Sequence, residues 1–236
     1  MRRLSFLGRW QSEDSTNRQK RAVLVASGTP DPADAAWLRD ADLIVAVDAG
    51  ADWLAARGVR PDALVGDLDS VAPALVRSME ADGVAIERHP PAKDQSDMEL
   101  AITYASRHGA DEIVVIGAFG GPRIDHEVAN VLLLVGGAET YRLVLARGEA
   151  RVTAARGATE RTLEGSPGSL VSLFAAGGDA QGVTTTGLEY PLRDETLTTG
   201  SSRGLSNVVV ERPATVSLRH GTLLIVEQPA EGAAEA

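Results

Sequence analysis

The chain contains no cysteine. That absence excludes a disulfide scaffold, thiolate metal sites and a cysteine nucleophile. Long apolar runs are missing too: the richest stretches, 113–118 and 131–135, fall far short of the roughly 18 residues of a membrane span. The opening MRRLSFLGRW has no continuous apolar segment and soon turns polar, so no secretory leader is expected and the cytoplasm is the expected compartment. Basic residues are in deficit, 23 against 33 acidic, for a net charge of -10 over 236 residues. That balance argues against nucleic acid and anionic membrane as partners, and means that a polyanionic substrate needs a metal ion or a local basic patch. Lysine is rarest of all, present only as Lys20 and Lys93. Neither lies in a Gly-Lys-Ser/Thr loop, and SGTPD rather than G-x-G-x-x-G follows the first apolar run, which excludes a P-loop and disfavours a dinucleotide fold.

What is present is ordered in two parts. Residues 1–20 are polar and weakly patterned and read as a flexible extension. From 21 to 147, short apolar runs (RAVLV, DLIVAV, DALVG, VAIER, DEIVVI, YRLVLA) alternate with helical patterns, PADAAWLRD among them. This alternation predicts an α/β domain with a mainly parallel sheet. From 148 to 228 only closely spaced short runs remain, broken by Gly, Pro and Ser, which predicts an all-β sandwich or barrel. Residues 229–236 read as a disordered tail. In parallel sheets ligands bind beyond the carboxyl ends of the strands, so chemistry is sought just after each apolar run.

Four segments stand out. GDLDS at 66–70 follows an apolar run, and extended backbone would aim Asp67 and Asp69 to one side. Two carboxylates so placed either hold a cation, with oxygen-only donors suiting Mg²⁺, or cap backbone amides in a turn. KDQSDMEL at 93–100 opens a helix; Asp94 and Asp97 have capping-box spacing, or Asp97 is a third metal carboxylate with Lys93 as a nearby charge. GAFGGPRIDH at 117–126 runs from a strand into a helix. Its Arg123 suits bidentate phosphate contact, or else pairs with Asp125 in a tight connection. Finally TGSSRGLSN at 199–207 matches G-x-S-x-G formally, but the strand-like LSNVVVER follows where a nucleophile elbow needs a helix. A ligand loop or a plain hairpin connection remains.

In order along the chain, VDAGAD, PDALVGDLDS, KDQSDMELA, GAFGGPRIDH, TTGLEYPL and SSRGLSN resemble the thiamine pyrophosphokinase (thiamine diphosphokinase) family, from about residue 21 to 227. The resemblance implies an α/β catalytic domain joined to a β-sandwich that binds thiamine. It also implies a homodimer with its active site between subunits, and diphosphoryl transfer from MgATP to thiamine with release of AMP. Asp67, Asp69 and Asp97 fall on the metal-binding acids, with Asp94 beside them. Asp48, Gly50, Ser70, Lys93, Gly120 and Arg123 fall on the nucleotide side. Asp125, Tyr190, Ser202, Ser206 and Asn207 fall on the substrate side, and Asp94 or Asp125 could accept the hydroxyl proton. The sequence departs from the family's DGGA with DAGA at 48–51, from KDKTD with KDQSD at 93–97, and by Pro122 in the glycine turn. Related readings are a diphosphotransferase for another heterocyclic alcohol, such as a pterin, or a silent thiamine-binding module.

Overall fold

The computed structural model describes residues 18–137 and 140–230. The tail beyond 230 and the first seventeen residues of the expected extension lie outside it. Its last three residues do not dangle: the Lys20 amide donates to Asp111 and its carbonyl accepts from Asp111 and Glu112.

The first half alternates as its pattern predicts. Strands β1 (Arg21–Val25), β2 (Leu43–Val47), β3 (Ala63–Gly66), β4 (Ala85–Arg88), β5 (Glu112–Ile116) and β6 (Arg142–Arg147) alternate with helices α1 (Gly50–Ala55), α2 (Pro73–Ala81), α3 (Asp97–Arg107) and α4 (Ile124–Gly136). All these strands pair in parallel, in the order β6-β5-β1-β2-β3-β4. The predicted helix PADAAWLRD is a 3-10 helix, Pro32–Asp40. Pro32 opens it, and Asp31 and Asp34 close a capping box around its start. Apolar side chains fill both faces of the sheet. Met98, Ile102 and Leu134 pack on one side, and Leu54, Val76 and Met79 on the other.

The second half comprises β7 (Ala150–Arg156), β8 (Thr159–Thr162), β9 (Leu170–Ala175), β10 (Ala180–Thr186), β11 (Glu195–Leu197), β12 (Asn207–Val208), β13 (Thr215–Leu218) and β14 (Thr222–Gln228). Its pattern omits β11, three residues in the polar stretch LRDETLTTG. A β-sandwich forms, but one of its two layers is shared. Strands β12-β9-β14-β7 join β6 by an antiparallel hairpin, making one ten-stranded sheet, and the four-stranded sheet β11-β10-β13-β8 closes over them. Leu163, Leu173, Val183, Leu223 and Ile225 fill the space between. The boundary expected at 147–148 falls in that hairpin, where the ladder is continuous. Buried Asp34 accepts the Gly148 amide at 2.5 Å and so anchors the hairpin turn to the helix after β1. Burial raises its pKa, while the two amides it accepts oppose that shift.

Candidate active site

The acids meet at the carboxyl ends of β2 and β3, as a parallel sheet favours. Asp48 ends β2 in a left-handed conformation, φ 45°. Its carboxylate lies over Gly66, where an added Cβ would stand 1.9 Å from Asp48 Oδ1, and Gly66 itself has φ 149°. The Leu68 amide donates to the same oxygen at 3.2 Å. Hence the glycine of GDLDS makes room for an acid contributed eighteen residues earlier. Burial, then the nearby charges of Asp97 and Asp67, push Asp48 up to about 7. The Leu68 hydrogen bond opposes them but is outweighed.

The extended geometry expected for Asp67 and Asp69 does not form. The strand stops at Gly66, Leu68 takes φ 65° and buries its side chain, and Asp67 accepts the Asp69 amide at 3.1 Å in a tight turn. Asp69 and Ser70 are therefore exposed on the turn, and it is Asp67 that faces Asp48. The capping box expected at Asp94 and Asp97 does not form either. Ser96 is the N-cap of α3 and accepts the Glu99 amide at 3.2 Å, while the Glu99 carboxylate accepts from Gln95 Nε2; Asp94 stays in the exposed loop before it. This frees Asp97 from capping. Lys93 Nζ lies 2.7 Å from Asp97 Oδ1, close enough for an ion pair, yet that buried oxygen has no properly directed hydrogen bond.

With Lys93 paired to Asp97 and Asp48 driven toward neutrality, the group of Asp48, Asp67 and Asp97 still carries an excess of negative charge. With oxygen donors only, the arrangement fits a hard divalent cation such as Mg²⁺. Among the described residues no three acids are drawn into a finished cation site. Substrate phosphates would have to supply the other ligands, as is usual for Mg²⁺.

The loops after β1 and β5 meet at the topological switch point. Gly28 and Thr29 amides donate to the carbonyls of Gly117 and Phe119, and Thr29 Oγ1 donates to Gly120 O. Gly120 thus has its carbonyl committed to Thr29 and its amide to Glu127 Oε1. Gly50 is required by packing, since a Cβ there would meet the Val25 carbonyl at 1.8 Å. Arg123 stands at the start of α4, exposed, and grips Asp125 through Nε at 2.9 Å and Nη2 at 2.5 Å. That grip holds Asp125 down at about 2, so it is a weak proton acceptor. Sequence reasoning left out Thr29 and Glu127, whose partners lie in another loop and one helical turn away.

The remaining predicted residues sit at the far end of the sheet. Asn207 begins β12 and reaches the main chain of Tyr190, whose ring is 60% exposed. Ser206, φ 57°, donates its amide to Ser172, and the Ser202 carbonyl accepts the Leu205 amide in the same exposed loop. In the sheet order β12 stands first and β2 eighth, so roughly 34 Å, seven spacings of about 4.8 Å, separates this loop from Asp48 along the sheet. A groove of about 880 Å³ lies at neither place; Asp111, Arg142, Arg156 and Arg161 line it near the amino ends of β5 and β6.

Comparison with known proteins follows the same division. Residues 35–145 match the family model of the thiamin pyrophosphokinase catalytic domain, and residues 160–223 that of the thiamin pyrophosphokinase vitamin B1 binding domain. Thiamine pyrophosphokinase of Bacillus subtilis (strain 168) is 29% identical over 188 residues, covering 78% of this chain and 86% of that protein. A crystal structure of thiamine pyrophosphokinase from Bacillus subtilis superposes with a TM-score of 0.80 at 27% identity, over 89% of this chain and 99% of that one. One of thiamin pyrophosphokinase from Geobacillus thermodenitrificans gives 0.76 at 25%, over 90% and 99%.

Proposed function

Because the chain belongs to the thiamin pyrophosphokinase family, we propose that it transfers a diphosphoryl group from ATP to thiamine with the help of Mg²⁺. The hydroxyethyl oxygen of thiamine attacks the β-phosphorus of ATP, the bond to the bridging oxygen breaks, and AMP leaves. The observation that carries this reading is the crowded acid group of Asp48, Asp67 and Asp97 at the carboxyl ends of β2 and β3, which Lys93 only partly offsets. Asp67 and Asp97, with Asp69 from the adjoining turn, would hold the ion against the phosphates, and Asp48 would face it from β2. The ion supplies charge neutralisation on the transferred group. Lys93 and Arg123 offset charge at the departing phosphate, each released from its present carboxylate partner. Asp94, exposed before α3, or Asp125 once Arg123 has left it, accepts the hydroxyl proton in this reading.

The active chain is a homodimer with each site made by two copies. Two features support this. Tyr190, Ser202, Ser206 and Asn207 are too far along one sheet from Asp48 for one thiamine and its diphosphoryl donor to touch both. In addition, Ile124, Val128 and Leu132 form an exposed apolar stripe on α4 that begins beside Arg123. A cytoplasmic location accords with this chemistry.

The decisive experiment mixes protein, ATP, Mg²⁺ and thiamine and resolves the products. AMP with thiamine diphosphate is expected. ADP with thiamine monophosphate would overturn the diphosphoryl step, and turnover of a pterin alcohol instead of thiamine would overturn the substrate.

A further inference from the structure

Asn207 was expected to touch substrate, but its carboxamide is already occupied. Oδ1 accepts the Tyr190 amide at 3.0 Å and the Val208 amide at 2.9 Å, while Nδ2 donates to the Tyr190 carbonyl at 2.7 Å. Three of the four hydrogen-bonding positions of the side chain are thus filled from the main chain. The residue is buried, 9% exposed, and it grips both polar groups of a residue seventeen positions earlier, as a neighbouring strand would. Just beyond it, the isolated bridge between Leu188 and Val209 and the Val210 amide on the Gly187 carbonyl continue the pairing of these two segments. Tyr190 therefore has a held backbone and stands 60% exposed, which places an amphipathic ring where a ligand can reach it.

We infer that Asn207 is a positioning residue: it fixes the backbone of Tyr190 so that the exposed ring is presented to the heteroaromatic substrate, and it makes no ligand contact that matters itself. The inference rests on the proposed binding of thiamine at this loop. It reassigns Asn207 from contact to support, and places the recognition of the flat heterocycle on Tyr190.

The test is a double-mutant cycle with Asn207→Asp and Tyr190→Ala, read as KM for thiamine, KM for ATP and kcat. Asn207→Asp keeps the acceptor but sets a carboxylate oxygen against the Tyr190 carbonyl. Its KM for thiamine should rise about tenfold with kcat and the KM for ATP within about twofold of wild type. In the Tyr190→Ala background the same change should add less than about twofold, because its effect passes through the missing ring. Full additivity, or an unmoved KM in the single variant, would overturn the inference. A second measurement needs no variant. The Tyr190 amide of the wild-type protein should be protected from hydrogen exchange by about a hundredfold or more despite its exposed residue, and free exchange would overturn the clamp. A wild type that makes no thiamine diphosphate would instead defeat the proposed reaction, while the exchange result would still judge the clamp.

Discussion

Replacing Asp48 with asparagine should stabilise the metal-free protein, and should do so most at high pH. Asparagine keeps the shape, tolerates the left-handed backbone at φ 45° and can still accept the Leu68 amide. Only the charge is lost. The carboxyl of Asp48 is raised from 3.8 to about 7 in the fold, chiefly by burial and then by Asp97 and Asp67. A raised acid contributes its full stability below the unfolded pKa and loses it as pH rises through the folded one. At 1.36 kcal/mol per pH unit, the ionised side chain should cost at most about 4 kcal/mol near pH 8 and between about 1 and 2 kcal/mol near pH 5. Urea denaturation of both proteins in a chelator would measure this, with the difference between them cancelling the other titrating groups. Asp48→Asn should exceed wild type by a few kcal/mol near pH 8, and the gap should shrink toward pH 5. A variant no more stable than wild type at pH 8, or a gap independent of pH, would refute the view that these acids repel one another in the empty fold.

Removing carboxylates nearer the turn should cost function instead. Asp67→Asn with Asp69→Asn should lower turnover by about a hundredfold or more while leaving the melting temperature at or above that of wild type; near-normal activity in a folded double variant would falsify the metal role. Gly66→Ala should destabilise by about 2 kcal/mol or more in chemical denaturation, since its Cβ would meet Asp48 and its φ of 149° disfavours a side chain. Val128→Glu with Leu132→Glu should convert dimer to monomer in sedimentation and abolish turnover together with it. Mixing inactive Asp97→Asn with Tyr190→Ala, assayed at a thiamine concentration too low for the latter to turn over, should restore part of the activity if each site draws on two copies, whereas a site within one copy predicts none.

Local signals decided much of this molecule without help. The alternation of β-branched runs with amphipathic helices dictates a parallel sheet, because such strands are buried on both faces while their helices are buried on one. The closely spaced short runs after residue 147 likewise dictate antiparallel strands, and placing acids directly after apolar runs points to the carboxyl edge. Where two local patterns competed, the sequence was ambiguous. Asp94 stands where the sequence places a cap, yet Ser96 is the residue that caps α3, and Asp97 is left free of that duty. At 66–70 the turn reading rather than the extended one is realised, with Leu68 at φ 65° and Asp67 accepting the Asp69 amide, and the spacing of the acids alone does not choose between the two.

Tertiary structure alone decided which acids meet and which residues stand apart. Asp48 joins Asp67 and Asp97 because β2 lies beside β3 and because Gly66 leaves a gap on that neighbour, a relation between positions eighteen apart that periodicity cannot express. The hairpin at 147–148 turns two predicted domains into one ten-stranded sheet, and its length carries Tyr190 and Asn207 away from the acids. Sequence determines what each segment can bury and therefore the element it becomes. Which carboxylates then face each other, and how far the second loop region stands from them, follows from the order in which strands pair, and that order is settled only when the whole sheet closes its core.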